Sequence, residues 1–330
     1  MNSVKLGLIG LGYIGRTHLR NSQKLHNCKI VSVADTSEQA LSFAKEMRVP
    51  NVYKDYNEML KQVDLDAVIV SLPNYLHQKS VDDICESGKD ILMEKPLARN
   101  SSEGKYIVDK VNRHNLKIMV GYPLRFVPYL LDAKEDINSG ELGFIENMHA
   151  VRVGPGPYFH RNVDGNPARV PEWWFSRERT GGGVLLDLGC HVINLLRYYF
   201  GEVNQIFGSF GYRYGLEVED QALCIVEFKN GTKGNLTLNW TSQTDLLKID
   251  LYGTVTQKMI YQKPKSKPQL ALQLLLGSTE YTAPHLKEIE YFSECLINDT
   301  KPEPSGEDGL KDLEVIDSAY KNVICKYQRE

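Results

Sequence analysis

Residues 4–15 read VKLGLIGLGYIG, an apolar run followed by three closely spaced glycines. The run is typical of a buried strand, and the amphipathic pattern of the residues from Tyr13 onward indicates a helix. In such a strand–turn–helix unit the first glycine permits a tight turn, the second admits a pyrophosphate, and the third lets helix and strand pack together. N–H groups at the helix start favour the phosphate charge, so the stretch predicts a dinucleotide-binding fold. The residues expected at the cofactor here are Gly10, Gly12, Tyr13, Ile14 and Gly15.

Strand-like and helix-like segments alternate up to about Val120. The run Ala67–Val70 is continuously apolar, as expected for a strand that is covered on both faces. This alternation predicts a doubly wound parallel sheet, and therefore a Rossmann domain over residues 1–122. The predicted strands are Val4–Ile9, Lys29–Ala34, Ala67–Leu72, Asp90–Met93 and Lys117–Val120, and the predicted helices are Tyr13–Leu25, Ser37–Met47, Tyr56–Gln62, Tyr75–Ser87 and Ser101–His114.

The pattern changes after Pro123, and residues 123–330 are predicted to form a second domain. Several strands follow one another there without helices between them, and Asn230-Gly231 is typical of a hairpin turn. We therefore expect an antiparallel sheet with helices on one side. The predicted strands are Phe144–Val153, Gln205–Tyr212, Gln221–Phe228, Lys233–Asn239, Leu246–Tyr252 and Gln257–Tyr261, and the predicted helices are Phe126–Asn138, Cys190–Phe200, His285–Ile297 and Gly306–Tyr327.

The composition is that of a soluble globular protein, with 42% hydrophobic and 25% charged residues. Lys and Arg total 39 against 42 acidic residues, and a net charge of −3 gives no overall attraction to nucleic acid or anionic lipid. The six cysteines form no C-x-x-C pair and show no zinc-like spacing with histidine, so we expect reduced thiols and no metal site. A strand directly after Lys5 leaves no room for a signal peptide, and no apolar stretch approaches a membrane span. We therefore expect a cytoplasmic protein without nucleic-acid or membrane partners.

Asp35 stands at the end of the second predicted strand, about 20 residues beyond the glycine motif. A carboxylate there can accept both hydroxyls of a ribose and would repel a 2′-phosphate. The following residues are Thr36 and Ser37 rather than an arginine. The sequence therefore favours NAD, with NADP as the alternative that the hydroxyl-bearing neighbours leave open. A second interpretation is that Asp35 caps the helix that begins at Ser37.

Three further polar clusters follow in chain order, and two of them come directly after predicted strands. They are Ser71-Leu72-Pro73-Asn74-Tyr75-Leu76-His77, Glu94-Lys95-Pro96, and Gly181-Gly182-Gly183 leading to Asp187 and His191. The carboxyl ends of parallel strands are where ligands bind. In this order the clusters resemble the Gfo/Idh/MocA family, named for glucose–fructose oxidoreductase and inositol dehydrogenase. The resemblance covers nearly the whole chain, including the closing stretch Pro304-Ser305-Gly306-Glu307-Asp308-Gly309.

The resemblance implies an N-terminal Rossmann domain and a C-terminal α/β domain with an open, mainly antiparallel sheet, the C-terminal helix returning to the first domain. It also implies NAD(P)-dependent oxidation or reduction of a CH–OH carbon in a sugar, cyclitol or nucleotide sugar. Many members are homodimers or homotetramers that pair through the open sheet. The cofactor contacts that it implies beyond the glycine motif and Asp35 are Ser71, Leu72, Pro73, Asn74, His77, Glu94 and Lys95.

The catalytic residues implied by the family motifs are Lys95 of E-K-P and the Asp187/His191 pair of D-x-x-x-H. A histidine that titrates near neutrality suits removal of the hydroxyl proton, and an ammonium group suits stabilisation of an alkoxide. If the segment is helical from Asp187, the i,i+4 spacing places the pair on one face, where Asp187 can orient His191. The alternatives are an exposed turn lysine and a structural histidine. The glycine triplet is expected to let the chain pass close to cofactor or substrate.

Candidate substrate contacts lie in the stretch that opens the second domain and in the polar loop 154–180, whose length indicates a functional loop. Aromatic faces suit sugar rings, and arginines suit phosphate or carboxylate. The alternative is a solvated loop with two tryptophans at its hinge. Departures from the family pattern are Pro123 in place of asparagine, Trp174 in place of arginine and Asn194 in place of aspartate. The candidates are Arg125, Tyr158, Arg169 and Trp174.

Two other functions are alternatives to a dehydrogenase that exchanges its cofactor with solution. One is a catalytically silent regulatory protein that binds a nucleotide or other ligand on the same fold. It has no chemical reason to keep Lys95, Asp187 and His191 together. The other is an oxidoreductase that retains its cofactor and recycles it between two substrates.

Overall fold

The computed structural model describes residues 3–157, 170–242, 245–261 and 282–325. They group into two compact units. The first contains residues up to 98, residues 102–123 and residues 282–310, and the second contains residues 99–101, the described part of 124–261, and residues 311–325.

The first unit is built on a six-stranded sheet in the order β3-β2-β1-β4-β5-β6, and all neighbouring strands run parallel. The central strand Ala67–Val70 is apolar and buried throughout, as expected where helices cover both faces of a sheet. The predicted doubly wound fold is confirmed. The strands are β1 (Val4–Ile9), β2 (Cys28–Ala34), β3 (Asn51–Tyr53), β4 (Ala67–Val70), β5 (Asp90–Glu94) and β6 (Ile118–Gly121), and the helices between them are α1 (Tyr13–Ser22), α2 (Glu38–Glu46), α3 (Tyr56–Gln62), α4 (His77–Glu86) and α5 (Ser101–Arg113).

The edge strand β3 was not predicted from the sequence. It has three residues, Asn51 to Tyr53, all half-buried, and it pairs with Ser32–Ala34 of β2. A strand this short shows neither alternation nor an apolar run, so periodicity does not detect it.

The closing part of the chain completes the first unit. Helix α9 (Thr282–Ile297) packs against α1, and the Val120 N–H donates to the Pro304 carbonyl at 2.9 Å along the edge of β6. Helix α10 (Gly306–Lys321) begins there. A Cβ at Gly306 would stand 2.6 Å from Cγ2 of Ile118, so the first turn of α10 needs glycine to lie against β6.

The second unit holds a seven-stranded sheet in the order β12-β11-β7-β10-β9-β8-β13. The β7/β10 and β8/β13 pairs are parallel and the others are antiparallel, which confirms the mainly antiparallel prediction. The strands are β7 (Ile145–Val153), β8 (Val203–Gly211), β9 (Gln221–Phe228), β10 (Lys233–Asn239), β11 (Leu246–Gly253), β12 (Gln257–Tyr261) and β13 (Val323–Cys325), and the helices are α6 (Pro128–Ser139), α7 (Arg177–Thr180) and α8 (Cys190–Phe200).

The helix predicted over Gly306–Tyr327 is too long. Helix α10 ends at Lys321, and the β-branched residues Val323 and Ile324 form β13 instead. The Gly208 N–H of β8 donates to the Asn322 carbonyl at 2.9 Å, and the Asn322 amide donates to the Ile206 carbonyl at 3.1 Å. The open edge of β8 therefore overrides the helical pattern. Among the described residues, no helix combines the length and apolar character of a membrane span.

Candidate active site

The glycine loop after β1 combines two close contacts with one open space. Gly10 has φ +88°, and a Cβ there would lie 2.7 Å from the Ser71 carbonyl oxygen. A Cβ at Gly15 would lie 2.2 Å from the Gly10 carbonyl oxygen, so α1 packs directly on the turn. Apart from its own turn, no described heavy atom lies within 4 Å of a Cβ placed on Gly12. This open space, at the start of a helix that has no side-chain cap among the described residues, fits a pyrophosphate.

Asp35 lies beside this loop. Its Oδ2 accepts the Leu11 N–H at 2.6 Å, and its Oδ1 accepts the Ser37 N–H at 2.8 Å. The N-cap of α2 is Ser37, whose hydroxyl accepts the Ala40 N–H at 3.4 Å. Asp35 therefore ties the end of β2 to the glycine loop.

The turn after β4 contains the cluster 71–77, and His77 is its most enclosed member. The ring is fully buried, with Nε2 2.9 Å from the Leu72 carbonyl oxygen and Nδ1 3.2 Å from that of Leu97. Burial lowers the pKa of His77 and favours the neutral ring. Its contacts join the turn after β4 to the segment after β5. The remaining predicted residues of the cluster, Ser71, Leu72, Pro73 and Asn74, are buried or half-buried.

Glu94 and Lys95 lie where β5 ends. The Glu94 side chain is 7% exposed, and its Oε1 lies 2.6 Å from Nε2 of His18 on α1. Its Oε2 accepts the Lys95 N–H at 3.3 Å. Lys95 itself is half-buried. The Glu94 carboxylate thus supports the turn that carries Lys95.

In the second unit, Asp187 and His191 lie at the start of α8. Asp187 is in a π-helical turn, Leu185–Gly189, and His191 follows in the first turn of α8; both are half-buried. The helix predicted over Cys190–Phe200 is therefore preceded by a wider turn that contains Asp187, a feature frequent at functional sites. Oδ2 of Asp187 accepts the indole N–H of Trp240 at 3.1 Å.

The buried carboxylate of Glu219 anchors this segment. It accepts the Gly183 N–H at 3.0 Å, the Leu185 N–H at 3.1 Å and the Tyr320 hydroxyl at 2.7 Å. Burial raises the pKa of Glu219, while the hydrogen bonds from Tyr320 and Leu185 oppose that rise. Sequence reasoning missed Glu219, because its partners are donors from distant segments. Its only signal is an acidic pair, with Asp220, directly before β9.

The glycine triplet packs closely against other parts of the protein. A Cβ at Gly181, at φ +85°, would lie 2.3 Å from the Arg99 carbonyl oxygen. A Cβ at Gly183 would lie 2.0 Å from the carbonyl oxygen of Glu219. The triplet therefore allows the backbone to reach Glu219.

The candidate substrate residues are placed as follows. Arg125 donates from Nε to the Asn194 amide oxygen at 2.7 Å, and its guanidinium lies 4.1 Å from the ring centroid of Tyr198. Asn194 in turn donates to Asp312 at 2.7 Å. Trp174 is half-buried, with its ring centroid 6.3 Å from that of Trp240. Tyr158 and Arg169 lie outside the described residues.

Two groups of predicted residues are each brought together. The glycine loop, Asp35 and Ser71 meet in the first unit. In the second unit Asp187 and Trp174 both contact Trp240, which the sequence did not single out. The Asp187 carboxylate therefore lies against an indole, and His191, four residues further along the chain, carries an imidazole that can transfer protons.

Comparison with known proteins identifies the two parts of the chain separately. Residues 4–122 match the family profile described as "Oxidoreductase family, NAD-binding Rossmann fold". Residues 130–256 match the profile of the "GFO/IDH/MocA C-terminal domain".

Similar proteins include scyllo-inositol 2-dehydrogenase (NAD(+)) from Bacillus subtilis, 26% identical over 334 residues that cover 95% of this chain and 92% of that protein. Levoglucosan dehydrogenase from Pseudarthrobacter phenanthrenivorans is 27% identical over 290 residues, covering 77% of this chain and 72% of that protein. The structure of the WlbA dehydrogenase from Bordetella pertussis, in complex with NADH and UDP-GlcNAcA, superposes with a TM-score of 0.84 at 20% identity, covering 97% of this chain and 95% of that one. At this identity the superposition shows the shared fold.

We predict that Glu219→Ala loosens the segment 183–191. The substitution leaves the donors of Gly183, Leu185 and Tyr320 without their acceptor, which costs roughly 3 kcal/mol of unfolding free energy or more. Urea unfolding measures the loss, and amide hydrogen exchange of 183–191 measures the loosening.

Tyr320→Phe is the matched control, because it removes only one donor, and we expect a loss of about 1 kcal/mol. Exchange in 183–191 that is unchanged by Glu219→Ala would contradict the anchoring role.

Proposed function

The chain belongs to the Gfo/Idh/MocA oxidoreductase family, and we propose that it is an NAD(P)-dependent dehydrogenase or reductase. It transfers a hydride between nicotinamide and a secondary alcohol or ketone of a sugar, cyclitol or nucleotide sugar. The observation that carries the proposal is the open space at Gly12, at the uncapped start of α1, in a chain that also has Lys95, Asp187 and His191. A catalytically silent role finds no support in the named relatives.

The residues of the first unit fit a dinucleotide. Gly12, Tyr13 and Ile14 would hold the pyrophosphate at the start of α1, since backbone N–H groups point outward there. Asp35 retains acceptor lone pairs beyond its bonds to Leu11 and Ser37, and these would bind ribose hydroxyls. Bound nicotinamide supplies a hydride acceptor or donor.

The polar residues supply the proton chemistry of the reaction. In the oxidative direction, His191 accepts the hydroxyl proton as the carbinol carbon loses its hydride and becomes a carbonyl. The ammonium group of Lys95 stabilises the negative charge that develops on the substrate oxygen. Asp187, fixed by the Trp240 indole, orients the imidazole.

Two observations support a polyhydroxylated ring as substrate. The relatives named above are scyllo-inositol and levoglucosan dehydrogenases. In this chain the half-buried Trp174 ring lies 6.3 Å from that of Trp240, which is 2% exposed and binds Asp187, so Trp174 is the ring that would meet the substrate. Aromatic faces stack well against the apolar faces of such rings.

We predict that Lys95→Ala and His191→Ala each lower kcat by about 10²–10⁴-fold, and that His191→Ala does so without weakening NADH binding. The assay follows NADH formation with a panel of sugars, cyclitols and nucleotide sugars, and NADH fluorescence titration reports cofactor binding. The controls are Lys105→Ala and His114→Ala, which alter exposed side chains of the same types on or just after α5. Full activity in both test variants would overturn the assigned roles.

The cofactor preference is predicted to depend on Asp35. Wild-type protein should favour NAD, and Asp35→Asn should reduce the NAD/NADP ratio of kcat/KM by about tenfold, because the charge that repels a 2′-phosphate is removed. Asp55→Asn, which alters the aspartate that caps α3, is the control and should leave the ratio unchanged. A wild type that prefers NADP would contradict this role of Asp35.

We also propose a homodimer or homotetramer, formed through the outer face of the second sheet. Alternate residues of β9 point outward there, and Leu223 and Ile225 are 49% and 52% exposed. Phe207 of β8, which pairs with Ile225, is 38% exposed. An apolar row of this kind on a sheet face is typical of an interface.

Ile225→Lys is predicted to shift the protein to a smaller species in sedimentation velocity, because it places a charge in the apolar row. Val255→Lys is the control, since Val255 is exposed in the turn between β11 and β12. A monomeric wild type would contradict the assembly.

The cytoplasm is the compartment that we propose for this activity. The described cysteines other than Cys325 are buried thiols that form no disulfide, which suits a reducing environment.

A further inference from the structure

Three ionisable side chains meet inside the first unit, behind the turn that carries Lys95. They are His18 of α1, Glu94 at the end of β5 and Glu288 of α9, with exposures of 0%, 7% and 0%. One ligand-type atom from each lies within 4.8 Å of the others. His285, almost one turn before Glu288 on α9, places its ring 6.0 Å from that of His18.

The two carboxyl groups of this cluster are bonded very differently. Both oxygens of Glu94 are engaged, one with His18 at 2.6 Å and one with the Lys95 N–H at 3.3 Å. Neither oxygen of Glu288 has a hydrogen-bonding donor among the residues that the structure describes. Burying a carboxylate without a donor costs far more free energy than burying the neutral, protonated carboxyl. Two enclosed carboxylates this close also cannot both be ionised.

We propose that Glu288 is a positioning residue that holds the proton of a carboxyl–carboxylate pair with Glu94, and thereby fixes Glu94 beneath Lys95. The link to catalysis rests on the proposed role of Lys95. The proton on Glu288 removes the repulsion between the two side chains, and the negative charge stays on Glu94, where His18 and the Lys95 N–H bind it.

The electrostatic surroundings also favour a proton on Glu288 and a negative charge on Glu94, because they shift the two pKa values in opposite directions. Burial and the charge of Glu94 raise the pKa of Glu288 well above its usual value. Burial also acts to raise the pKa of Glu94, but the hydrogen bond and charge of His18, together with His285 and Lys95, lower it below its usual value. Paired carboxyl groups with pKa values driven apart divide into one acid and one carboxylate.

A cation is the competing occupant, because His18, Glu94 and Glu288 each offer one ligand atom. The 2.6 Å separation between Nε2 of His18 and Oε1 of Glu94 is that of a direct hydrogen bond. Ligand atoms around a tetrahedral zinc ion stand about 3.3 Å apart. The geometry therefore favours a proton over a metal.

The first experiment detects the proton in the full-length protein. Infrared spectra at neutral pH should contain the carbonyl stretch of a protonated carboxylic acid, and Glu288→Gln should remove it. Glu290→Gln is the control, since that carboxylate lies on the same helix and pairs with Lys287. Absence of a band that depends on Glu288, or a stoichiometric metal in the purified protein that Glu288→Gln releases, would overturn the proposal.

The second experiment uses the pH dependence of stability. A glutamate whose folded pKa lies above its unfolded value of about 4.3 loses folding stability as pH rises from that value towards the folded pKa. Glutamine has no such loss. The melting temperature of Glu288→Gln minus that of wild type should therefore increase with pH above about 4.3. A difference that stays flat would show that Glu288 carries no linked proton.

The third experiment separates positioning from simple support of the fold. Glu288→Leu should lower kcat by about tenfold to a hundredfold, because Glu94 loses its proton-bearing partner and Lys95 shifts. Glu288→Gln, which keeps a neutral donor, should restore most of the activity. Equal activity of the Leu and Gln variants would overturn the positioning role. Inactive wild-type protein would instead count against the proposed function, while the infrared and melting measurements would still decide the protonation of Glu288.

Discussion

The close approach of two backbone segments, at Gly10 and Gly15, is the constraint on which the first unit depends. A side chain at Gly15 would collide with the Gly10 carbonyl, so only glycine lets α1 pack directly on the turn after β1. That contact fixes the helix start next to the open space at Gly12. It also places His18, one turn further along α1, against Glu94. One steric requirement thus governs both the nucleotide loop and the support of Lys95.

In the second unit, a buried charge and its hydrogen bonds fix the position of the segment that contains Asp187. The Glu219 carboxylate lies in the interior, where the N–H groups of Gly183 and Leu185 and the Tyr320 hydroxyl compensate its desolvation. Asp187 is fixed in the following turn by the Trp240 indole. The D-x-x-x-H segment therefore starts from an anchored point, which suits the proton transfer that we propose for His191.

The sequence predicted most of the architecture because its signals are local. Glycine spacing and apolar runs identified the parallel sheet, and the Asn-Gly turn identified the hairpin between β9 and β10. It failed where distant partners decide the outcome. Strand β13 forms because β8 offers an edge, and the close packing of Gly183 depends on Glu219, a residue distant in sequence. The cluster of His18, Glu94 and Glu288 joins residues far apart in the chain, and no motif links them.

The pairing of β13 with β8 has a consequence for handling and redesigning the chain. Val323–Cys325 forms the edge strand of the seven-stranded sheet and pairs with β8 at Gly208 and Ser209. A chain truncated before Val323 would uncover that edge and offer it as a template for strands of other molecules. We therefore expect such a truncation to cause aggregation rather than loss of catalytic chemistry. For the same reason, affinity tags are better placed at the N-terminus.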